Sequence, residues 1–341
     1  MLSAFITALA GPNITAREAA VLRQTRPCGV ILFARNAVDP AQLRRLTDAV
    51  RAAVVGEDIL VLIDQEGGRV QRLRPPHWRA LPAAAAYAGA YAGDLHKAAR
   101  AARLVARLTA ADLRALGIDT NCAPLLDVPA PGCHAIIADR AYASRPGDVA
   151  VMGAAVADGF MAGGVLPVIK HVPGHGRATI DSHHALPLVS ATRAELEATD
   201  FVPFRALAGL PAAMTAHVVF TAYDANAPAS TSQRVTQQAI RGAIGFDGLL
   251  MSDDIGMKAL SGSVAERARA VLAAGSDLVL ACSGDLAETE SVAAVVPRLA
   301  GVALARFERA RAAIAQQPQA FDVAEAESCL AEVCNWRPES V

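Results

Sequence analysis

Eight short aliphatic runs constrain this chain more than any other feature. They fall at 4–9, 29–33, 59–64, 118–123, 166–170, 212–216, 248–252 and 277–281. Most do not alternate apolar with polar residues, which is how strands buried on both faces read. Helical patterns separate them. The segment 15–26 opens with Thr15 and carries Glu18 three residues on, a capping box. The segment 39–53 begins Asp39-Pro40, a helix start with proline in the first turn. The segment 95–116 closes at Gly117. Further helices are expected at 147–162, 193–207, 236–244 and 264–274, and a long one from 288 to about 316. Eight strands alternating with helices predict an α/β fold, a single-domain (β/α)8 TIM barrel over 1–341 with a peripheral tail at 318–341. A doubly wound sheet is the competing fold. It would carry a glycine fingerprint after its first strand, and Gly11-Pro12-Asn13 is not one. No internal repeat and no linker marks a second domain.

Composition narrows the partners. Apolar residues make up 53% and charged ones 19%, enough for a large core and too apolar for disorder. The net charge is −1 with no basic block, so neither nucleic acid nor an anionic membrane is indicated. The opening MLSAFITALAGP has its first basic side chain at Arg17 and is too short to span a bilayer, so it reads as a buried strand rather than a signal peptide. The six cysteines, at 28, 122, 133, 282, 329 and 334, form no CxxC pair. They read as reduced thiols, with Cys122 and Cys282 as core filler.

In a barrel, chemistry sits at the C-terminal ends of the strands, and here those ends turn polar abruptly. The third run leads into Asp64-Gln65-Glu66-Gly67-Gly68-Arg69, followed by Arg72. The fourth leads to Asp127 and then to Asp139 and Arg140; the fifth ends in Lys170-His171, the sixth in His217 and the seventh in Ser252-Asp253-Asp254. The eighth ends Cys282-Ser283-Gly284-Asp285. Each has a bland reading: Asp127 as a turn cap, Arg140 as a surface pair, His217 as a satisfied core histidine. Because strand neighbours point to opposite faces, only one of Asp253 and Asp254 is expected to face the pocket. The stretch 166–184, LPVIKHVPGHGRATIDSHH, is the densest of these ends and holds four of the eight histidines.

These groups suit a substrate rich in hydroxyls. Asp64 can accept two hydroxyl protons, while Arg72, Arg140 and Lys170 can donate to oxygens. Glycoside cleavage needs a group that protonates the leaving oxygen and a carboxylate that attacks or steadies the oxocarbenium-like centre. Asp253 fits the second role. No second carboxylate stands out as the acid. In Asp181-Ser182-His183, residues i and i+2 of an extended chain point the same way, and a small bend brings Asp181 within reach of His183. A carboxylate behind an imidazole makes His183 a credible acid and then base near neutral pH.

The motifs GVILFARN (29–36), DQEGGRVQR (64–72), KHVPGHG (170–176), DSH (181–183) and MSDD (251–254) resemble those of the bacterial β-N-acetylglucosaminidases of glycoside hydrolase family 3. The resemblance runs from about residue 29 to residue 280. It implies Asp253 as nucleophile and His183 as acid/base assisted by Asp181. It implies Asp64, Arg72, Arg140, Lys170 and His171 as N-acetylglucosamine ligands, no metal and no cofactor. It also implies net retention through a covalent glycosyl–enzyme intermediate, with the Asp-His dyad on a mobile loop. The implied setting is the bacterial cytoplasm, where a monomer removes N-acetylglucosamine from muropeptide fragments (GlcNAc-1,6-anhydro-MurNAc peptides) during peptidoglycan recycling. Val172 stands where the family usually has Phe and His184 where Lys is common. The first strand lacks the acidic residue common there. His175 reads as a loop-bracing residue.

Other chemistries compete. His171, His175, His183, His184 and Asp181 suit a metal-dependent amidohydrolase barrel, although the early His-x-His of such barrels is missing. A sugar-binding barrel without catalysis would not require a dyad. A glycoside phosphorylase on the same scaffold is a third reading, since a histidine acid does not repel an incoming phosphate as a glutamate would.

Overall fold

The computed structural model describes residues 1–337 other than 55, 57, 135, 136, 183, 315 and 316. Eight parallel strands close a barrel: β1 Ser3–Ala8, β2 Pro27–Leu32, β3 Leu60–Ile63, β4 Thr120–Asn121, β5 Leu166–Val172, β6 Ala212–Thr215, β7 Leu249–Asp254 and β8 Leu278–Leu280. Each strand pairs with its neighbours in sequence, and β8 returns to β1. All eight expected strands are there, and β1 to β6 are buried along their whole length. The opening residues do form a buried strand: Phe5 and Ile6 are inaccessible to solvent.

The helix-start signals act as the sequence indicates. Thr15 and Glu18 make the capping box of Ala16–Thr25, and Asp39 caps Pro40–Ala53 by accepting from the Gln42 amide. Leu95–Ala115 ends two residues before Gly117, which sits at φ 76°. Two expected helices are broken. The segment 193–207 is two short helices, Arg193–Ala198 and Phe201–Ala206, parted where Arg177 grips Thr199 and Asp200. The long terminal helix is also two, Leu286–Ala293 and Gly301–Ile314. Between them the chain runs beside the start of β1: Pro297 accepts from the Ala4 amide, and the Leu299 amide donates to Leu2. Proline cannot continue the helix, and this edge takes its hydrogen bonds instead.

The tail is ordered over Val323–Asn335, a helix that buries Ala326, Leu330 and Val333 against Leu95–Ala115. Arg79 pairs with Glu327, Tyr91 donates to Glu332, and Trp336 fills the space that Gly89 leaves.

Two strands carry a bulge at their C-terminal ends. Against β6, Ile169 pairs with Ala213 but Val172 with Thr215, so β5 holds one extra residue around Lys170-His171. Against β8, Met251 pairs with Leu278 but Asp254 with Leu280, so β7 holds one extra around Ser252-Asp253. A bulge breaks the two-residue alternation and lets neighbouring side chains face the same side.

Candidate active site

A cavity of about 340 Å³ opens over the C-terminal end of the barrel, a size that suits a single sugar ring. Asp64, Arg72, Arg140, Lys170, His171, Asp181 and Asp253 all line it. No residue of β1 does. His183 lies outside the described residues.

One wall is a relay of alternating charges. Arg72 donates to Asp64 at 3.1 Å. Lys170 bridges Asp64 at 2.9 Å and Glu66 at 2.6 Å, and Arg140 clamps Glu66 through two bonds of 2.8 and 2.9 Å. Local structure aims these groups. A tight hairpin pairs Gln65–Gly67 with Val70–Gln71. The Asn121 side chain holds the Gln65 backbone in both directions, and the Gln65 amide oxygen accepts from the backbone of Arg72 and Leu73. Alternation then turns Glu66 towards the cavity. Burial alone would raise the carboxyl pKa values of Asp64 and Glu66. The adjacent Lys170, with Arg72 for one and Arg140 for the other, outweighs it and holds both below the usual carboxylate range. Burial would lower Lys170, but the two carboxylates push it above its ordinary value. All three stay charged at neutral pH.

A second assembly fixes the histidines. Asp127 is fully buried. One of its oxygens accepts the backbone N–H of His171 at 3.2 Å and of His175 at 2.6 Å, and the other meets His171 Nδ1 at 2.7 Å. A carboxylate at Nδ1 puts a proton there and turns Nε2 away from Asp127. Against the penalty of burial, His171 holds the Asp127 carboxyl below its usual value.

At the end of β7, Asp253 accepts the Asp254 amide at 2.8 Å. Burial pushes its pKa up, but neighbouring His171, the hydrogen bond from the Asp254 amide and the charge of Lys170 together outweigh it and hold it low. Asp254 also reaches the cavity, contrary to the expectation that only one of the pair would; the β7 bulge is the reason. Its carboxylate accepts the amides of Gly256 and Cys282, each at 3.0 Å, yet burial leaves its pKa raised. His217 is buried and satisfied at both nitrogens: Nε2 donates to the Asp254 carbonyl at 2.9 Å and Nδ1 meets the Ser230 hydroxyl at 2.6 Å. It is a core histidine that props the backbone of Asp254. Burial keeps it neutral.

The loop after β5 delivers Asp181. The near half is tied down: Gly176 and Ala178 accept the amides of Ala130 and His134, and any Cβ on Gly176 would strike the Val128 carbonyl. In the far half, Asp181 and Ser182 border the cavity while Ile180 and His184 face outwards.

Glu66 and Asp127 are central to this geometry, yet along the chain Glu66 has no assigned role and Asp127 only that of a turn cap. Both stood among the polar strand ends, and that was their only signal. Cys282, expected as core filler, is part-exposed and borders the cavity. Among the described residues no three His, Cys, Asp or Glu side chains converge as a metal site would require.

The barrel and the charged cavity at its C-terminal end have the form of a hydrolytic (β/α)8 enzyme. Residues 2–316 match the family described as glycosyl hydrolase family 3 N terminal domain, and the chain belongs to that family. It is 41% identical over 303 residues to a beta-hexosaminidase of Alkalilimnicola ehrlichii, covering 88% of this chain and 85% of that protein. It is 39% identical over 306 residues to a beta-hexosaminidase of Pseudomonas aeruginosa, covering 89% of each. The crystal structure of NagZ from Neisseria gonorrhoeae in complex with N-trifluoroacetyl-D-glucosamine superimposes with a TM-score of 0.87, at 32% identity and 98% coverage of both chains.

Proposed function

We propose that this glycosidase is a retaining exo-β-N-acetylglucosaminidase. In this reading it removes terminal β-linked N-acetylglucosamine from muropeptide fragments, GlcNAc-1,6-anhydro-MurNAc peptides, during peptidoglycan recycling. It works in the bacterial cytoplasm as a monomer, one barrel domain with its peripheral tail. The observation that carries the reading is Asp253: an ionised carboxylate at a strand end, at the edge of a sugar-sized cavity walled by hydroxyl-binding charges. The beta-hexosaminidase names of its relatives and the aminosugar in the Neisseria structure support the choice of sugar. Six free cysteines accord with a reducing compartment. Among the described residues no helix is long and apolar enough to cross a membrane.

The steps follow from the groups. Asp64, Arg72, Arg140, Lys170 and His171 hold the sugar hydroxyls and the acetamido oxygen. His183, oriented by Asp181, protonates the glycosidic oxygen while Asp253 attacks the anomeric carbon. The aglycone leaves with the proton and the sugar stays as an ester of Asp253. Neutral His183 then takes a proton from water, which displaces Asp253 from the opposite face, so the β configuration is restored. The test is turnover of p-nitrophenyl N-acetyl-β-glucosaminide by Asp253→Ala and His183→Ala. Asp253→Ala should be inactive. His183→Ala should lose much less on this activated leaving group than on a muropeptide. Equal, mild losses from both changes would refute the assignment.

A further inference from the structure

The role of His175 is open, and its surroundings are specific. Its side chain is buried beside the cavity, and its ring lies edge-on to His171 with centroids 5.7 Å apart. Its backbone N–H is held by Asp127. Its Nε2 shares a hydrogen bond of 3.2 Å with the Ser182 hydroxyl, which is also buried. The other ring nitrogen, Nδ1, is buried without a partner. Among the described residues, the one hydrogen bond of this ring therefore joins the fixed end of β5 to the far half of its loop.

Ser182 is the chain neighbour of both Asp181 and His183. Around it the apolar side chains of Ile180 and Leu186 are exposed, and the chain is next tied down at Leu188–Val189, which pairs with Val219–Phe220. We propose that His175 is a positioning residue, whose hydrogen bond to Ser182 sets the backbone from which Asp181 and His183 act on the leaving group. The inference rests on the acid/base reading given above. Burial lowers the His175 pKa, so the ring is neutral at pH 7 and can either give or take the shared proton. Either way, Asp127 fixes the origin of the latch: the same carboxylate orients His171 and holds the His175 backbone. Sugar binding and proton delivery are thus referenced to one buried group.

The test uses variants that keep volume and remove the bond: His175→Phe retains a ring against His171, and Ser182→Ala deletes only the hydroxyl. Each is assayed on p-nitrophenyl N-acetyl-β-glucosaminide and on an alkyl N-acetyl-β-glucosaminide, whose poor leaving group needs full protonation. The expected result is a kcat loss of about 10- to 100-fold on the alkyl substrate, a loss under about 3-fold on the aryl one, and little change in KM. The double variant should be no worse than the worse single one, because both remove the same interaction. His175→Gln, which carries an amide N–H near the position of Nε2, should recover part of the loss. His183→Ala is measured alongside. If it shows the leaving-group split and the two variants do not, the latch is wrong and the acid/base assignment stands. If His183→Ala shows no split, the assignment fails and the latch falls with it. Equal losses on both substrates with a lowered melting temperature would mean that His175 and Ser182 only support the fold.

Discussion

The strand ends and the loop after β5 bring different kinds of order to one cavity. At the strand ends charges are crossed in a chain: Arg72, Asp64, Lys170, Glu66 and Arg140 form an unbroken relay, and Asp127 is shared by two histidines. The loop begins in the same rigid manner, with Gly176 jammed against Val128, and then loosens into exposed apolar side chains around Asp181. The difference teaches which part of the reaction tolerates movement. In the proposed reaction, sugar recognition and nucleophilic attack need fixed geometry, and the groups assigned to them sit at strand ends among buried polar partners. In that proposal a leaving group must depart and water must enter, which accords with assigning its proton transfer to the less constrained element.

Substitutions can break this contrast. The largest effect is expected at Asp253. Asp253→Asn should keep the fold and the cavity yet lower kcat roughly ten-thousand-fold on every substrate, as seen in steady-state rates. Next is Glu66→Gln. It removes the carboxylate that Lys170 and Arg140 share, in a wall whose groups are largely buried. A stability loss of about 3 kcal/mol by urea unfolding is expected, together with a raised KM. A cost below about 1 kcal/mol would show that the relay is solvated and that the proposed rigidity is wrong.

Gly176→Ala tests the tied half of the loop. Its Cβ has no room beside the Val128 carbonyl, so a loss of about 1–3 kcal/mol is expected. The smallest effect should come from an exposed side chain beyond the loop: Leu188→Ser should shift stability by no more than about 0.5 kcal/mol.

Acid unfolding sharpens the same contrast. The carboxyls of Asp64, Glu66 and Asp127 have folded pKa values below their unfolded ones. Their stabilisation is complete above the unfolded value of about 4 and is lost as pH falls through the folded values. The imidazoles of His175 and His217 are also lowered by burial, so the unfolded chain takes up their protons first as pH falls below about 6.5. The urea midpoint should therefore decline in two stages, gently below about pH 6.5 and steeply below about 4. His217→Asn should remove part of the first stage and leave the second. A midpoint constant from pH 7 to 3 would contradict both charge assignments.

Much of this was readable along the chain. The eight aliphatic runs, the Thr15–Glu18 box, the Asp39-Pro40 start and Gly117 are local signals, and each produced its element. The polar strand ends were equally plain, and all the described residues expected in the site do border one cavity. The failures share a cause. Asp254 was expected to face away because a strand alternates, and Cys282 was expected inside because it follows an apolar run. The bulge in β7 depends on the register against β8, and Cys282 reaches the rim because its amide is held by Asp254 from another strand. The single helices expected at 193–207 and 288–316 were divided by contacts with Arg177 and β1, which no helical periodicity reveals.

The sequence by itself determined the strand–helix alternation, hence the barrel, and the identity of the groups at its C-terminal end. Periodicity, caps and turns act over a few residues, so the amino acids carry that information directly. Only the tertiary structure decided which charge meets which. Glu66 and Arg140 lie 74 positions apart, and Asp64 and Lys170 lie 106 apart. Such partners are chosen by strand order, bulges and burial, and in a largely buried wall that choice sets whether a carboxylate pairs with a lysine, orients a histidine or accepts only backbone amides.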